Sequence, residues 1–241
     1  MPDPIFAHPR LAAVYDDLEL DRDDLDAYTA MVEEFGAQSV LDIGCGTGTF
    51  ACLLAQRGIR VTAVDPAAAS LDVARGKPGA DAVQWVAGDV TALPPLQVDM
   101  AVMTGNVAQV FTTDEDWSIL LQRVHASLRT GGRLVFETRV PGLRAWENWT
   151  RQRTHSVVHV PGIGDVERWC EVLYVALPLV TFAWTYVFAS DGARIVSEST
   201  LRFRDRDEIS ERLSAEGFTV DAVRDAPDRP GREYVFVASR D

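Results

Sequence analysis

An acid followed by three glycines at every second position, Asp42, Gly44, Gly46 and Gly48, stands at the end of the apolar run Val40-Leu41-Asp42-Ile43. Glycines in that place let the backbone adopt angles closed to other residues and let a ligand approach the main chain closely. A dinucleotide-binding turn spaces its glycines as G-x-G-x-x-G, which would put the third at Thr49; here it falls one residue earlier, at Gly48. The carboxylate of Asp42 adds a second difference. It gives an anionic ligand little, whereas a ligand carrying an ammonium group gains from it. Further polar residues close other apolar runs: Asp65-Pro66 after Val64, Gly88-Asp89-Val90 after Ala87, and Thr104-Gly105-Asn106 after Met103.

The elements that must position these residues alternate. Helical periodicity covers Asp21 to Phe35, with Gly36 as a stop signal. Short apolar runs at Val40 to Ile43, Ile59 to Val64, Val83 to Ala87 and Val98 to Met103 read as buried parallel strands. Helices over Thr49 to Arg57, Ala67 to Arg75 and Asp114 to about Leu128, the last capped by Asp114, separate them. Gly131-Gly132 then turns the chain into a fifth strand, Arg133 to Thr138. Strands alternating with helices at this spacing mean an α/β, doubly wound sheet, with ligands at the strands' carboxyl ends. A helix over Asp207 to Ala215 and strands at Phe218 to Val223 and Glu233 to Ala238 complete a seven-stranded sheet. Residues 1–20, rich in proline and acid, are expected to lie over the surface.

Between these parts, residues 139–206 follow another pattern: antiparallel strands at about His155 to Val160, Val166 to Ala176, Leu179 to Ala189 and Arg194 to Arg204. Val172 to Ala189 carries no charged side chain, close to the shortest length that spans a membrane. Pro178 interrupts it, however, and Phe182, Trp184, Tyr186 and Phe188 fall at period two before the turn signal Asp191-Gly192. Two antiparallel strands account for it, and no membrane span is expected. The whole chain, 1–241, is read as one domain with 139–206 inserted in it.

Composition narrows the class. An apolar fraction of 47% and a charged fraction of 24% are those of an ordinary globular protein. A net charge of −13 argues against nucleic acid as partner. Cys45, Cys52 and Cys170 form no metal-ligand spacing and fit a reducing cytosol; with no signal peptide at the N-terminus, a cytoplasmic protein without a metal is expected.

At this point the chain resembles the class I S-adenosylmethionine-dependent methyltransferases. The resemblance rests on Leu-Asp-Ile-Gly-Cys-Gly-Thr-Gly, on Val64-Asp65, on Gly88-Asp89 and on Leu128-Arg129-Thr130-Gly131-Gly132, and covers about Tyr15 to Leu134. It implies a Rossmann-like sheet, mostly parallel with an antiparallel last strand, and S-adenosylmethionine as cofactor with S-adenosylhomocysteine as product. It places the methionine and ribose against Gly44, Cys45, Gly46 and Gly48, and the ammonium near Asp42. Asp65, followed by Pro66, would accept from the ribose hydroxyls. Asp89 and the Val90 amide would meet the adenine, and Thr104, Gly105 and Asn106 the methionine part. Tyr15 would cover the cofactor. Each acid also has a plain reading, Asp42, Asp65 and Asp89 as turn-capping residues at strand ends.

Methyl transfer is an in-line displacement that mainly needs alignment and exclusion of water, so its catalytic signature is slight. His155, His159 and Tyr15 are the candidates for a proton acceptor, the histidines sharing one face of a strand. The insertion is expected to lid the cofactor on the acceptor side. Its aromatic stripe serves either a planar or cationic acceptor, or core packing or a dimer interface. Arg139, Arg144, Arg151 and Arg153 beside Trp146 and Trp149 either meet an anionic acceptor or are solvated. By elimination a small-molecule acceptor remains, methylated at oxygen, nitrogen or carbon, in a monomer or homodimer. Two other readings are a nicotinamide-dependent oxidoreductase, disfavoured by Thr49 and Asp42, and a non-catalytic cofactor-binding or scaffolding module of the same fold.

Overall fold

The computed structural model describes residues 2–19 and 22–241. Strands β1 (Ser39–Ile43), β2 (Arg60–Asp65), β3 (Val83–Ala87), β4 (Val98–Met103) and β5 (Leu128–Arg139) lie parallel in one sheet. Four more, β6 (Ser156–Val160), β7 (Gly164–Ala176), β8 (Leu179–Phe188) and β9 (Arg194–Arg202), form a separate antiparallel sheet in that order. The chain then returns through β10 (Phe218–Asp225) and β11 (Glu233–Arg240), and the first sheet reads β10-β11-β5-β4-β1-β2-β3. Only β11 runs against the rest, pairing antiparallel with both β5 and β10. All five residues of β1 are buried, as a central parallel strand with helices on both faces requires.

Helices α3 (Asp24–Glu34) and α4 (Thr49–Gln56) cover one face with Leu25, Tyr28, Met31, Phe50 and Leu54, while α6 (Asp114–Ser127) and α8 (Arg206–Ala215) cover the other with Trp117, Leu120, Leu121 and Leu213. Helix α5 (Ala68–Arg75) lies beside β2 and β3. The expected start of α3, Asp21, lies outside the described residues. The cap of α6 is Thr113, whose hydroxyl accepts from the Asp116 amide at 3.0 Å; its extended backbone makes it the last non-helical residue and leaves Asp114 inside the first turn. The fifth strand also begins earlier than its apolar run suggests, because Leu128 already pairs with Val98 before the register shifts at Met100.

The largest departure from expectation is the N-terminus. It is not a surface coil: α1 (Pro4–Ala7) and α2 (Pro9–Leu18) bury Ile5, Leu11, Val14 and Leu18 against Val160, Val166, Tyr186 and Phe188 of the second sheet. Positions 11, 14 and 18 share one helical face, which explains the packing. The aromatic stripe of β8 supplies much of that core. Phe182, Tyr186 and Phe188 are buried and Trp184 half-buried, with Phe182 against Trp149 at 4.7 Å between ring centroids. Among the described residues no helix is long and apolar enough to cross a membrane, and the uncharged stretch forms most of the β7–β8 hairpin.

Candidate functional site

The glycine turn follows β1 and opens at the sheet's carboxyl edge. Its three glycines have different surroundings. A side chain at Gly44 would meet Val107 at 2.7 Å, and one at Gly48 would meet Trp85 at 2.5 Å and Ala74 at 2.8 Å. At Gly46 (φ +52°) and across the turn at Gly105 (φ +73°) nothing lies within 4 Å. The outer two glycines are therefore close approaches within the fold, and Gly46 and Gly105 face open space of the kind a ligand's backbone contact uses.

Asp42 lies beneath this turn, 1% exposed, and neither carboxylate oxygen has a hydrogen-bond partner. Burial is the main reason its carboxyl is pushed up to about 7, with Arg22 pulling it down, Asp65 up and the Ala51 amide weakly down. A buried acid with two empty acceptors calls for a donor, and a cationic one satisfies both its hydrogen bonding and its charge. The plain reading of Asp42 as a turn cap rests on a weak pull from the Ala51 amide in the first turn of α4, with no partner within full hydrogen-bond geometry. Asp65 does hold the turn: Oδ2 accepts from the Gly46 amide at 2.8 Å and Oδ1 from the Ala67 amide at 2.7 Å, and burial raises its pKa. Each oxygen keeps a second lone pair, so two hydroxyls of a ligand could still bond there. Pro66 is exposed beside it.

Asp89 is exposed and caps the short turn Val90–Ala92, accepting from the Thr91 amide at 2.8 Å and hydroxyl at 2.6 Å; those bonds lower its pKa. Val90 is buried behind it. Cys45 is half-buried, and burial together with Asp42 and Asp65 holds its thiol well above the usual range, so it packs rather than reacts. Thr104 is half-buried, and Asn106 is buried with φ +62°. The Asn106 amide donates to Glu137 Oε1 at 2.6 Å, and its Nδ2 to Glu233 Oε1 at 3.0 Å.

Helix α2 lies over the turn. Asp16 accepts from the Thr47 hydroxyl at 2.6 Å and pairs with Lys77 Nζ at 2.6 Å, and Lys77 also donates to the Thr49 hydroxyl at 2.7 Å. Lys77, the only lysine of the chain, thus ties α2 to the start of α4. Tyr15, one residue earlier, is half-buried against Phe6 at 5.6 Å; burial, reinforced by Glu19, pushes its phenol up to about 12, so at neutral pH it donates.

His155 and His159 do not join this cluster. Both are exposed, His159 on the face of β6 opposite Val158 and Val160 and His155 just before that strand, and they bond to Asp165 at 2.7 Å and Glu167 at 2.9 Å, respectively. Period two assigned them correctly to one face, but that face meets solvent. The arginine- and tryptophan-rich entry to the insertion forms a groove of about 450 Å³ lined by Arg144, Trp146, Trp149, Arg151 and Val172, with Arg139 lying 5.6 Å from the Trp149 ring. Sequence reasoning missed Asp16, Lys77, Glu137 and Glu233. Glu137 carried a signal of the same kind as Asp42, an acid directly after the buried apolar run Leu134-Val135-Phe136.

A strand order with one reversed strand, a glycine turn after the first strand and a buried acid beneath it are those of the Rossmann-like class I S-adenosylmethionine-dependent methyltransferase fold. The family model described as a methyltransferase domain matches residues 40–132. The malonyl-[acyl-carrier protein] O-methyltransferase of Serratia marcescens is 31% identical over 137 residues, 56% of this chain and 52% of that protein. The chain spans about half the length of such curated relatives. Among solved structures, the CcbJ methyltransferase from Streptomyces caelestis superposes with a TM-score of 0.77 at 19% identity, covering 95% of this chain and 96% of that one. CalS10, an amino pentose methyltransferase from Micromonospora echinaspora solved with S-adenosylmethionine bound, gives 0.73 at 21%, covering 95% of each. At those identities the likeness is one of fold, and it includes the second sheet.

Proposed function

We propose that the chain is an S-adenosylmethionine-dependent methyltransferase acting on a small-molecule acceptor, with residues 139–206 as the acceptor-side lid of a single domain. The observation that carries this reading is Asp42: a buried carboxylate with two unpartnered oxygens, under a turn that is open at Gly46. The residues present fit the cofactor. Asp42 would hold the ammonium, Asp65 the ribose hydroxyls through its remaining lone pairs, and the backbone at Gly46 and Gly105 the methionine part. When bound, the cofactor supplies an electrophilic methyl carbon on a positively charged sulfur. The protein's share is to align the acceptor and keep water out. Helix α2, held down by Asp16 and Lys77, serves the second purpose, and Tyr15 can donate from above. The groove at Trp146 and Trp149 is of a size that suits a small ligand.

A nicotinamide-dependent reaction has no comparable support, since the reading of the turn and the methyltransferase-domain match over residues 40–132 both point elsewhere. The net charge of −13 disfavours a nucleic-acid acceptor, and three free cysteines suit a reducing cytosol. Thermal unfolding decides. S-adenosylhomocysteine at a hundredfold its Kd should stabilise the chain by about 2.7 kcal/mol, and NAD(H) should not. The reverse result would sink the proposal. Cofactor binding without methylated product across a broad acceptor panel would leave a non-catalytic module instead.

A further inference from the structure

Beside Gly105, at the carboxyl edge of the first sheet, lies a small cavity of about 20 Å³ that the reading above does not use. Tyr28, Glu137, Asp228, Arg229 and Glu233 line it, and that volume admits one water-sized group. Two buried polar atoms of its lining have no partner: Glu137 Oε2 and Tyr28 Oη, on side chains only 4% and 3% exposed. Groups so buried are costly unless something bonds to them.

The charges around the cavity say what that something is. Asp24 is paired with Arg22 through two bonds of 2.9 and 3.0 Å. Arg229 pairs with Glu233 at 2.9 Å and with Asp228 at 3.2 Å. Arg139 donates to Gln109 at 2.8 Å and lies in the field of Glu233 and Glu137. Asp24, Asp228 and Glu233 thus each pair with a guanidinium, and Glu137 is the carboxylate of the lining that does not, its outer oxygen left over. With Glu137 ionised, one positive charge of about the size of water would balance the site; without that charge, burial favours the protonated carboxyl.

The cavity is also well placed. Asp42 pairs with Val102, and Val102 with Val135, so all three share one face of the sheet. Glu137, two residues beyond Val135, points to the same face. Two strand spacings and two residue rises put it about 12 Å from Asp42 along the carboxyl edge.

We propose that this cavity receives the amine of the methyl acceptor in its ammonium form, and that Glu137 is the proton acceptor which frees the nitrogen lone pair. The inference rests on the methyl-transfer reading and narrows the acceptor to an amine. An N–H proton passes to Glu137 Oε2. The nitrogen lone pair then forms the new bond to the methyl carbon as the carbon–sulfur bond breaks, and the sulfur keeps that electron pair. Nitrogen carries the positive charge in the product. Without a cation in the cavity, burial pushes the Glu137 carboxyl up to about 8, against the lowering effect of the Asn106 amide, with Glu233 and Asp24 raising it and Arg229 lowering it. A bound ammonium favours the carboxylate, so its affinity should weaken up to tenfold for each pH unit below 8.

Calorimetric titration of the full chain with methylammonium chloride at pH 7 and 8, with and without S-adenosylhomocysteine, tests this. Glu137→Gln keeps an oxygen for the Asn106 amide, so the loop stays in place. The wild type should bind methylammonium and not methanol; the variant should bind at least tenfold more weakly, without the pH dependence. Tyr28→Phe, which removes only the unpartnered hydroxyl, should weaken binding threefold or more. Transfer of labelled methyl to methylamine should fall at least a hundredfold in kcat/KM in Glu137→Gln. Equal affinity in wild type and Glu137→Gln, binding of methanol as well, or no heat from methylammonium would overturn the proposal and leave the cavity to water. Methylammonium binding without any binding of S-adenosylhomocysteine would instead overturn the methyl-transfer reading.

Discussion

Neither oxygen of Asp42 has a donor, although the residue sits at the centre of the sheet, and this has an opposite effect on stability and on binding. Its folded pKa of about 7 lies above the ordinary 3.8, so over that window the folded chain holds a proton that the unfolded chain has lost. Stability from this group is therefore full below about pH 4 and falls as pH rises towards 7. Asp42→Asn should stabilise the ligand-free chain at pH 8 by about 1–3 kcal/mol, because it removes a buried charge that has no partner while keeping the side chain's shape. Urea unfolding checks that. The same substitution should weaken S-adenosylhomocysteine binding more than tenfold and remove its pH dependence; in the wild type, affinity should decline below pH 7 as the carboxylate is protonated. The neighbouring glycines separate in the same way. Gly48→Ala drives a methyl into Trp85 and Ala74, and overpacking of that kind costs about 1–3 kcal/mol before the strain of φ +73°. Gly46→Ala meets no protein atom and should cost only the strain of its positive φ, about 1–2 kcal/mol, yet block the cofactor. If calorimetry found Gly46→Ala binding normally, the open side of the turn would not be the ligand's side.

Helix α2 is the element that links the glycine turn to the rest. Asp16 is 40% exposed, so its ion pair with Lys77 contributes about 0–1 kcal/mol, and its bond from Thr47 about 1 kcal/mol. Asp16→Ala should therefore hardly change the melting temperature but raise amide exchange in α2 and lower S-adenosylhomocysteine affinity three- to tenfold; unchanged exchange would mean that packing alone seats the helix. The sequence did not reveal this element. Its apolar residues Leu11, Val14 and Leu18 stand among prolines and acids, and what they pack on, Val160 and Phe188, lies far along the chain. The strands of the first sheet were legible because parallel strands buried on both faces read as apolar runs, and Asp42 and the glycines because their spacing is local. Glu137 and Glu233 become a pair only when β11 is laid antiparallel beside β5, a contact no local pattern encodes. His155 and His159 show the converse: periodicity put them on one face, and only the packing of Val158 and Val160 on α2 decides that theirs is the outer one.

Across the whole molecule the two sheets share few direct elements, and the N-terminal helices bridge them. The Ile5 amide donates to the buried Ser197 hydroxyl of β9 at 2.8 Å, while the Phe6 carbonyl accepts from Ser70 of α5 at 2.9 Å. Arg168 of β7 grips the end of α2 through the Leu18 carbonyl and Glu19, each at 2.6 Å. A second bridge lies at the end of β9, where Arg202 donates to the Thr112 carbonyl at 3.2 Å and pairs with Asp114 of α6 at 2.9 Å. With α2 touching both the glycine turn and the second sheet, ligand binding and the order of the second sheet should be coupled, because a ligand stabilises every region that must be folded for it to bind. S-adenosylhomocysteine should therefore slow amide exchange in β6 and β7 as well as around Gly46. Leu11→Ala, at a fully buried position, should cost about 2–5 kcal/mol and sever the coupling. The sharp outcome lies in where that cost falls. If α2 is a shared core element, exchange accelerates in β2 and β7 together and the melt stays a single transition. Acceleration confined to β6 through β9, with the glycine turn still protected by ligand as before, would show that α2 belongs to the second sheet alone and that this sheet moves independently of the cofactor.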